Sequence, residues 1–339
     1  MKNQIDKLPR SGIENYSYKQ GKQHIGIPVI KDRDCVWIKD ITLTGDAPKG
    51  FVRLYEYERN GKVRRNNPGT WPLYIAKTGH KWYPIESITE HLLNRLGEVF
   101  GIRMAKSKLG VINGQLRFLS RYFLDVKKET LAHGAEIFAG FLEDQAFVES
   151  IEKANLSRSF FTLQFVEMAV EKAFPQEKNS IMNDLVKLLL YDAMVGNNDR
   201  HFFNWAVIQP FDKRERARFS PVYDTARGLF WNASDEQLAM RIRQKDVDRY
   251  VKKYCDGSKP KLGWNDAGDL NHFRMVKEIF DNQFYITQEE IRSLFRQEML
   301  AEMKETIKKE SGRFFSKERL LMINECLDYR YNTIWEIVK

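Results

Sequence analysis

Short apolar runs with partial alternation of polar residues characterise the first third of the chain. The segments CVWIKDITLT (35–44) and FVRLYEYE (51–58) are rich in β-branched and aromatic residues, and the turn-forming residues GDAPKG (45–50) separate them. A third segment, LYIAK, is short and apolar, is bounded by turn residues and ends at Lys77. This pattern predicts three strands, of which the last is buried.

A change to helical spacing follows. A helix is predicted from Pro84 to about Phe100, because apolar residues recur on one of its faces: Ile88, Leu92, Leu96 and Val99. Two further strands, KLGVI (108–112) and LRFLSRYFL (116–124), flank an Asn-Gly pair. Two strands joined by Asn-Gly are typical of a β-hairpin.

From about residue 135 onward the pattern is mainly helical. Apolar residues recur every three or four positions in 160–174 and 180–196, and the tail from 270 to 339 shows the same pattern. We therefore predict an α+β protein with a small β-rich N-lobe, residues 1–122, and a mainly helical C-lobe, residues 123–339.

Composition limits the function classes. The net charge of +9 and a pI of about 9.2 favour anionic partners such as a nucleotide, a nucleic acid or an acidic protein, although a solvated basic surface explains the charge equally well. The three cysteines, Cys35, Cys255 and Cys326, are far apart in sequence, so we expect reduced, partly buried thiols rather than a disulfide framework. Without an apolar segment near the N-terminus or one of about 20 residues elsewhere, we expect a cytoplasmic protein without stable membrane association.

The most informative stretch is VGNNDRHFFNWAVI (195–208), followed by FSPVYDTARGL (219–229). A basic turn, DKRERAR, lies between the two. We predict that a strand–turn–strand hairpin brings Asn204 close to Asp224, with Asp199 on the loop before the first strand.

These residue types suit phosphoryl transfer. One carboxylate, Asp199, would accept or orient the substrate hydroxyl, whereas the amide of Asn204 and the carboxylate of Asp224 would hold Mg²⁺. His201 would lie near the phosphates or brace the loop, and Arg200 could steady the loop by pairing with a carboxylate. The alternative is an Asn/Asp-rich turn with a solvated Asp–Arg pair.

NNDRHFFNW together with SPVYDTARGL resembles the HipA-like serine/threonine kinases, and DRHxxN is also similar to the phosphatidylinositol kinases. The resemblance implies a bilobal protein-kinase-like fold that uses ATP and Mg²⁺. It places the catalytic loop at 196–205 and the metal-binding segment at 221–226.

The resemblance extends upstream. It implies that Lys77 is the phosphate-binding lysine and that Glu90 is its helix partner, with Glu86 and Glu98 as rivals on the same helix. The other positions that it implies are a nucleotide-covering loop with Gly45, Lys49 and Gly50, and a hinge beside the adenine with Ser120, Arg121 and Tyr122.

Two departures from the family pattern matter. Only about forty residues precede the covering loop, whereas founding members carry an additional N-terminal subdomain, so a separate small protein is expected to supply it. The loop GDAPKG is also not a protein-kinase GxGxxG loop. In the family this loop carries autophosphorylated serines, which implies Thr42 or Thr44 as the equivalent sites here; two ordinary strand threonines are the alternative.

Three functions remain open. The resemblance implies a toxin of a toxin–antitoxin system that phosphorylates a protein such as an aminoacyl-tRNA synthetase. Its implied partner is a small helix-turn-helix antitoxin, and DNA would be contacted only through that partner. A phosphoinositide kinase is the second possibility, disfavoured because MRIRQKDVDRYVKKY (240–254) is basic but only weakly amphipathic. The third is a non-catalytic binding module.

Overall fold

The computed structural model of the protein describes residues 26–38, 49–59, 61–79, 85–154, 156–268 and 270–339. Its architecture is α+β, as predicted, with a β-sheet in the first part of the chain and mostly helices in the remainder. Among the described residues, no helix has the length and apolar character needed to cross a membrane.

The first sheet has six strands in the order β1-β5-β6-β4-β3-β2. Strand β1 pairs in parallel with β5, and the other neighbouring pairs are antiparallel. The strands are β1 (Val29–Ile30), β2 (Cys35–Ile38), β3 (Lys49–Leu54), β4 (Leu73–Lys77), β5 (Ser107–Ile112) and β6 (Gln115–Arg121).

Local sequence explains the centre of this sheet. Strand β4 lies between β3 and β6, and the predicted burial of LYIAK is confirmed for Tyr74, Ala76 and Lys77. The predicted β5–β6 hairpin is also confirmed. Its turn residues Asn113 and Gly114 have φ angles of 52° and 76°, a backbone region that Asn and Gly tolerate and that a tight hairpin turn requires.

One helix packs on this sheet and positions part of the site. Helix α1 (Glu86–Val99) buries the apolar face that its spacing predicted. It ends before Gly101, whose φ of 90° is readily adopted only by glycine. The predicted start at Pro84 lies outside the described residues.

The rest of the chain is built around α6 (Lys178–Val195), whose final residues, 188–195, are all buried. Around it lie helices from both sides of the chain. Those before it are α2 (Gly134–Leu142), α3 (Gln145–Lys153), α4 (Ser157–Phe160) and α5 (Leu163–Ala173). Those after it are α7 (Asp235–Arg243), α8 (Val247–Asp256), α9 (His272–Asn282), α10 (Gln288–Leu294), α11 (Gln297–Thr306) and α12 (Lys317–Val338), with a π-helical turn at Ile307–Ser311.

A second sheet carries the predicted hairpin. It has the order β7-β8-β9, formed by β7 (Glu129–His133), β8 (Ala206–Pro210) and β9 (Arg218–Phe219). The β8–β9 hairpin with its basic turn is confirmed. Strand β7 was not predicted, because ETLAH is too short and too mixed in polarity to give a strand pattern by itself.

Candidate active site

A buried lysine connects the sheet to the segment after β9. Nζ of Lys77, at the end of β4, lies 2.7 Å from Oε1 of Glu90 and 3.0 Å from Oδ1 of Asp224. The Lys77 and Glu90 side chains are almost fully buried, whereas 36% of the Asp224 side chain is exposed. The Asp224 carboxylate therefore has one face toward Lys77 and another toward solvent.

Glu90 is the lysine partner among the three predicted candidates. Glu98 instead pairs with Arg95 near the end of α1. Glu86 is also buried, and its negative charge repels that of Glu90 and raises the pKa of Glu90.

The electrostatics of the cluster favour a charged lysine and a charged Asp224. Although burial opposes ionisation, the positive charge of Lys77 lowers the pKa of Asp224 to about 2. Burial raises the pKa of Glu90 to about 7, against the opposing effect of Lys77. Asp224 is therefore ionised at neutral pH, as a metal ligand must be.

The backbone at Asp224 is unusual. Its φ of 54° lies in the left-handed region, which residues other than glycine seldom adopt. Strained conformations of this kind persist where the surrounding structure enforces them, and they cluster at functional sites. Here the bond from Lys77 holds the Asp224 side chain toward β4.

Arg200 joins the loop that contains Asp199 to the segment that contains Asp224. Its guanidinium is fully buried and donates to the carbonyl oxygens of Asn204 (2.8 Å) and Tyr223 (2.9 Å). It also forms a bidentate ion pair with Asp192, in which Nε donates to Oδ2 at 2.9 Å and Nη2 donates to Oδ1 at 3.2 Å. The predicted pairing of Arg200 with a carboxylate is thereby confirmed, and it fixes two loops relative to α6.

Internal hydrogen bonds shape the loop after α6. Nδ2 of Asn204 donates to the carbonyl oxygen of Asp199 at 2.8 Å and lies 3.2 Å from Nε2 of His201. Nδ1 of His201 accepts from the backbone N–H of Phe203 at 3.2 Å. Both ring nitrogens of His201 thus face the loop itself, which supports the bracing role among the two predicted for it.

Asp199 pairs with a residue that the sequence did not single out. Oδ2 of Asp199 lies 3.2 Å from Nε of Arg227, and the Asp199 side chain is 21% exposed. Burial raises the pKa of Asp199, and the positive charge of Arg227, followed by His201 and Lys261, opposes that rise. Arg227 therefore helps to keep the candidate base ionised.

The remaining predicted positions are distributed as follows. Lys49 and Gly50 begin β3, where they pair with Lys77 and Ala76 rather than lying in a loop. The positive charge of Lys49 also lowers the pKa of Asp224.

The predicted hinge residues lie at the end of the first sheet. Ser120 and Arg121 end β6, and the backbone N–H of Tyr122 donates to the carbonyl oxygen of Leu73. Thr42, Thr44 and Gly45 lie outside the described residues.

Other supporting residues were also missed from the sequence. Asn197 donates to Asp192 at 2.8 Å, and the hydroxyl of Tyr223 lies 2.8 Å from Nδ1 of His133. Asn197 bonds to a residue only five positions before it, whereas Tyr223 meets a residue 90 positions away, for which no local pattern exists. The VYD and GNND motifs that contain Tyr223 and Asn197 were the nearest available signal.

Comparison with known families decides the relationship. The model of the HipA-like C-terminal domain matches residues 41–307, which is most of the chain. The protein belongs to the HipA-like C-terminal domain family. No curated protein sequence gives a significant match.

Solved structures show the same fold at low sequence identity. The Helicobacter pylori proinflammatory kinase CtkA aligns with a TM-score of 0.68 and 14% identity, over 92% of this chain and 97% of that chain. HipA of Shewanella oneidensis MR-1, solved with HipB and operator DNA, aligns with a TM-score of 0.51 and 12% identity, over 93% of this chain and 69% of that chain. The predicted bilobal kinase-like fold is thereby confirmed.

Proposed function

We propose that this protein is an ATP- and Mg²⁺-dependent serine/threonine protein kinase of the HipA type. The observation that carries the proposal is the buried Lys77–Glu90–Asp224 cluster, held by Arg200 against the loop of Asp199 and Asn204. A lysine with a carboxylate partner, a base and a pair of metal ligands are the parts that phosphoryl transfer needs.

The donor atoms fit magnesium. Both contacts of the Asn204 amide use Nδ2, and only Oδ1 of Asp224 accepts from Lys77, so that Asn204 Oδ1 and Asp224 Oδ2 have no hydrogen bond to another described residue. Oxygen atoms of these types are preferred magnesium ligands. The amide oxygen of Asn204 and the free carboxylate oxygen of Asp224 would be the two protein ligands of this site.

The cation of Lys77 fits a nucleotide phosphate. An ammonium group has three N–H donors, and Glu90 and Asp224 occupy two of them. The third donor of Lys77 would bind a phosphate oxygen. ATP supplies the phosphoryl group, and Mg²⁺ neutralises charge on its oxygens.

Asp199 would accept the proton of the substrate hydroxyl. Arg227 contacts Oδ2 of Asp199, so Oδ1 is the oxygen we assign to the substrate. His201 and Asn204 would hold the loop in place during this transfer, because both bond to its backbone.

The structure favours a protein substrate over a phosphoinositide at one point. Basic residues of the 240–254 segment pair with neighbouring carboxylates: Arg241 and Arg249 with Asp246, and Lys252 with Asp256. Internally paired cations attract an anionic membrane less than unpaired ones. A lipid kinase needs a membrane-facing surface of unpaired cations.

Transfer of label from γ-labelled ATP to protein or to lipid tests the substrate class. The purified protein is incubated with Mg²⁺ and either a cell lysate or phosphoinositide vesicles. We expect label on serine or threonine of protein bands, identified by phosphoamino acid analysis. Label in the lipid extract alone would establish the phosphoinositide kinase instead.

We also propose a small DNA-binding antitoxin as partner and a translation protein, such as an aminoacyl-tRNA synthetase, as target. The HipA neighbour was solved with HipB and operator DNA, which supports a partner of that kind. Labelled bands from the lysate identify the target, and co-purification with a co-encoded helix-turn-helix protein tests the partner. Mass spectrometry after incubation with Mg-ATP tests Thr42 and Thr44 as autophosphorylation sites.

A further inference from the structure

Two cysteines from distant parts of the chain meet in the helical core. Cys255 on α8 and Cys326 on α12 are separated by 71 positions, yet their sulfur atoms lie 3.6 Å apart. Both side chains are fully buried. All three cysteines are free thiols, as the sequence predicted, and two of them are in contact as an unbonded dithiol.

A buried cation lies beside this dithiol. Arg330, one helical turn after Cys326, is fully buried and donates from Nη1 to the carbonyl oxygen of Ala193 at 2.9 Å. Its Nε and Nη2 have no hydrogen-bond partner among the described residues, and no described carboxylate pairs with it. Its guanidinium carbon lies 5.7 Å from the ring centroid of Phe273, and a thiolate at Cys326 would offset the buried charge further.

The ionisation of the two sulfurs agrees with this arrangement. The hydrogen bond from Cys255 and the positive charge of Arg330 lower the pKa of Cys326, although burial opposes them. The same shared hydrogen bond, together with burial, raises the pKa of Cys255. Cys326 is therefore the more readily ionised and more nucleophilic thiol of the pair.

Arg330 also contacts the start of the loop that carries Asp199. Gly196 ends α6 with a φ of 69°, and a Cβ atom at this position would lie 2.4 Å from Nη2 of Arg330. The hydroxyl of Ser258 donates to the carbonyl oxygen of Gly196 at 3.3 Å. Arg330, one helical turn from Cys326, therefore packs against the first residue of the candidate catalytic loop.

We propose that Cys255 and Cys326 form a redox modification site, in which a hydroperoxide converts the pair to a disulfide that links α8 to α12. The Cys326 thiolate attacks the O–O bond, forming a sulfenic acid and releasing hydroxide. Cys255 then attacks that sulfur, the S–O bond breaks and the second oxygen leaves as water. In sum, two thiols and one hydrogen peroxide give one disulfide and two waters.

Helix α8 provides the route to the buried sulfurs. Of its ten residues only Val251 and Cys255 are buried. Val247, Tyr250 and Tyr254 are half-buried and pack against the core, so opening α8 breaks these contacts. The opposite face of the helix is exposed, and a surface helix of this kind opens at lower cost than the core. Opening of α8 exposes Cys255 and admits a small oxidant to Cys326.

The disulfide changes the surroundings of the loop. In the disulfide neither sulfur can carry a negative charge to offset Arg330, while the guanidinium remains against Gly196. Arg330 must then shift toward other acceptors, and the backbone from Gly196 to Asp199 shifts with it. We therefore expect oxidation to loosen the catalytic loop.

Peptide mapping of the full chain before and after hydrogen peroxide treatment tests the modification. We expect two of the three thiols to disappear, a linked peptide containing Cys255 and Cys326 to form with loss of two hydrogen atoms, and dithiothreitol to reverse both changes. A Cys35→Ser variant should form the same linked peptide. Oxygen addition without a linked peptide, or reaction of Cys35 alone, would overturn the proposal.

Hydrogen exchange of residues 193–204 tests the effect on the loop in the same samples. We expect several-fold faster exchange in the oxidised wild type and no change in Cys255→Ala after the same treatment. Equal exchange in both redox states would contradict the link between the dithiol and the loop. Any effect of oxidation on phosphotransfer rests on the proposed kinase function. If the reduced protein has no activity, that function is contradicted. The linked peptide would still establish the disulfide.

Discussion

Nζ of Lys77 lies 3.0 Å from Oδ1 of Asp224, although 147 positions separate the two residues. This contact joins the central strand of the six-stranded sheet to the segment that follows β9. Glu90 and Asp224 share one ammonium group, so the charge of Lys77 compensates two carboxylates at once.

Removal of that ammonium should destabilise the protein as well as abolish activity. Lys77→Met leaves two neighbouring carboxylates without their cation, and we expect a loss of about 3 kcal/mol or more in the free energy of unfolding. The control is Lys108→Met on β5, whose pair with Glu56 is partly exposed and should cost about 1 kcal/mol or less. Urea unfolding of both variants measures the difference, and equal losses would contradict a special role of Lys77.

The buried Arg200–Asp192 pair should matter far more than a similar pair at the surface. Arg200→Met removes the bonds to Asp192, Asn204 and Tyr223 and should cost about 3–5 kcal/mol. Arg214→Met removes a solvent-exposed pair with Asp212, so we expect little or no loss of stability. Thermal unfolding of the two variants provides the comparison. A small loss for Arg200→Met would mean that other contacts hold the two loops together.

Arg227 should set the acidic limb of the pH–rate profile. The rate falls as pH falls through the pKa of Asp199, because a protonated carboxyl cannot accept the substrate proton. Arg227→Gln removes a charge that opposes the burial-driven rise of that pKa, so the limb should move to higher pH. Arg227→Lys should move it part of the way back.

The control for this effect is Arg241→Gln, because Arg241 is equally exposed and pairs with Asp246 instead. Its pH–rate profile should match that of the wild type. An unchanged acidic limb in Arg227→Gln would show that Arg227 does not act through Asp199.

His91 should make stability depend on pH. Burial lowers the pKa of His91 from 6.5 to about 4, and its Nδ1 lies 3.0 Å from the hydroxyl of Ser107. Between pH 6.5 and 4 the unfolded chain binds a proton that the folded protein does not, so this residue's contribution to stability falls as pH falls through that window. Relative to His91→Gln, the wild type should lose at most about 3 kcal/mol from pH 7 to pH 4. Urea unfolding at several pH values measures it, and a constant difference between the two proteins would contradict the prediction.

The parts of the site that the sequence predicts are those with a local pattern. Asp199 and Asn204 precede strand β8 and Asp224 follows strand β9, so the predicted β8–β9 hairpin places the two segments beside each other. The strand that ends at Lys77 was predicted from its short apolar pattern, whereas the role of Lys77 came from the family resemblance. The choice of Glu90 over Glu86 and Glu98 depended on how α1 lies against β4, which helical spacing alone does not specify.

The missed parts depend on tertiary packing. Arg227 is 28 positions from Asp199, and Cys255 is 71 positions from Cys326. In both cases the fold of the intervening chain determines whether the two side chains meet. No spacing rule relates such residues before the fold is known. The six-stranded order was likewise not predicted, because strand pairing is a long-range property.

Phosphotransfer by Asp199→Asn tests the central claim most directly. The wild type, Asp199→Asn and the surface control Asp212→Asn are incubated with γ-labelled ATP and Mg²⁺, and ATP binding is measured in parallel. We expect transfer to fall by about 10²–10⁴-fold in Asp199→Asn alone, with ATP binding retained in all three proteins. Equal transfer by Asp199→Asn and the wild type would contradict the assignment of Asp199 as the base, and absence of both transfer and ATP binding in the wild type would contradict the kinase proposal itself.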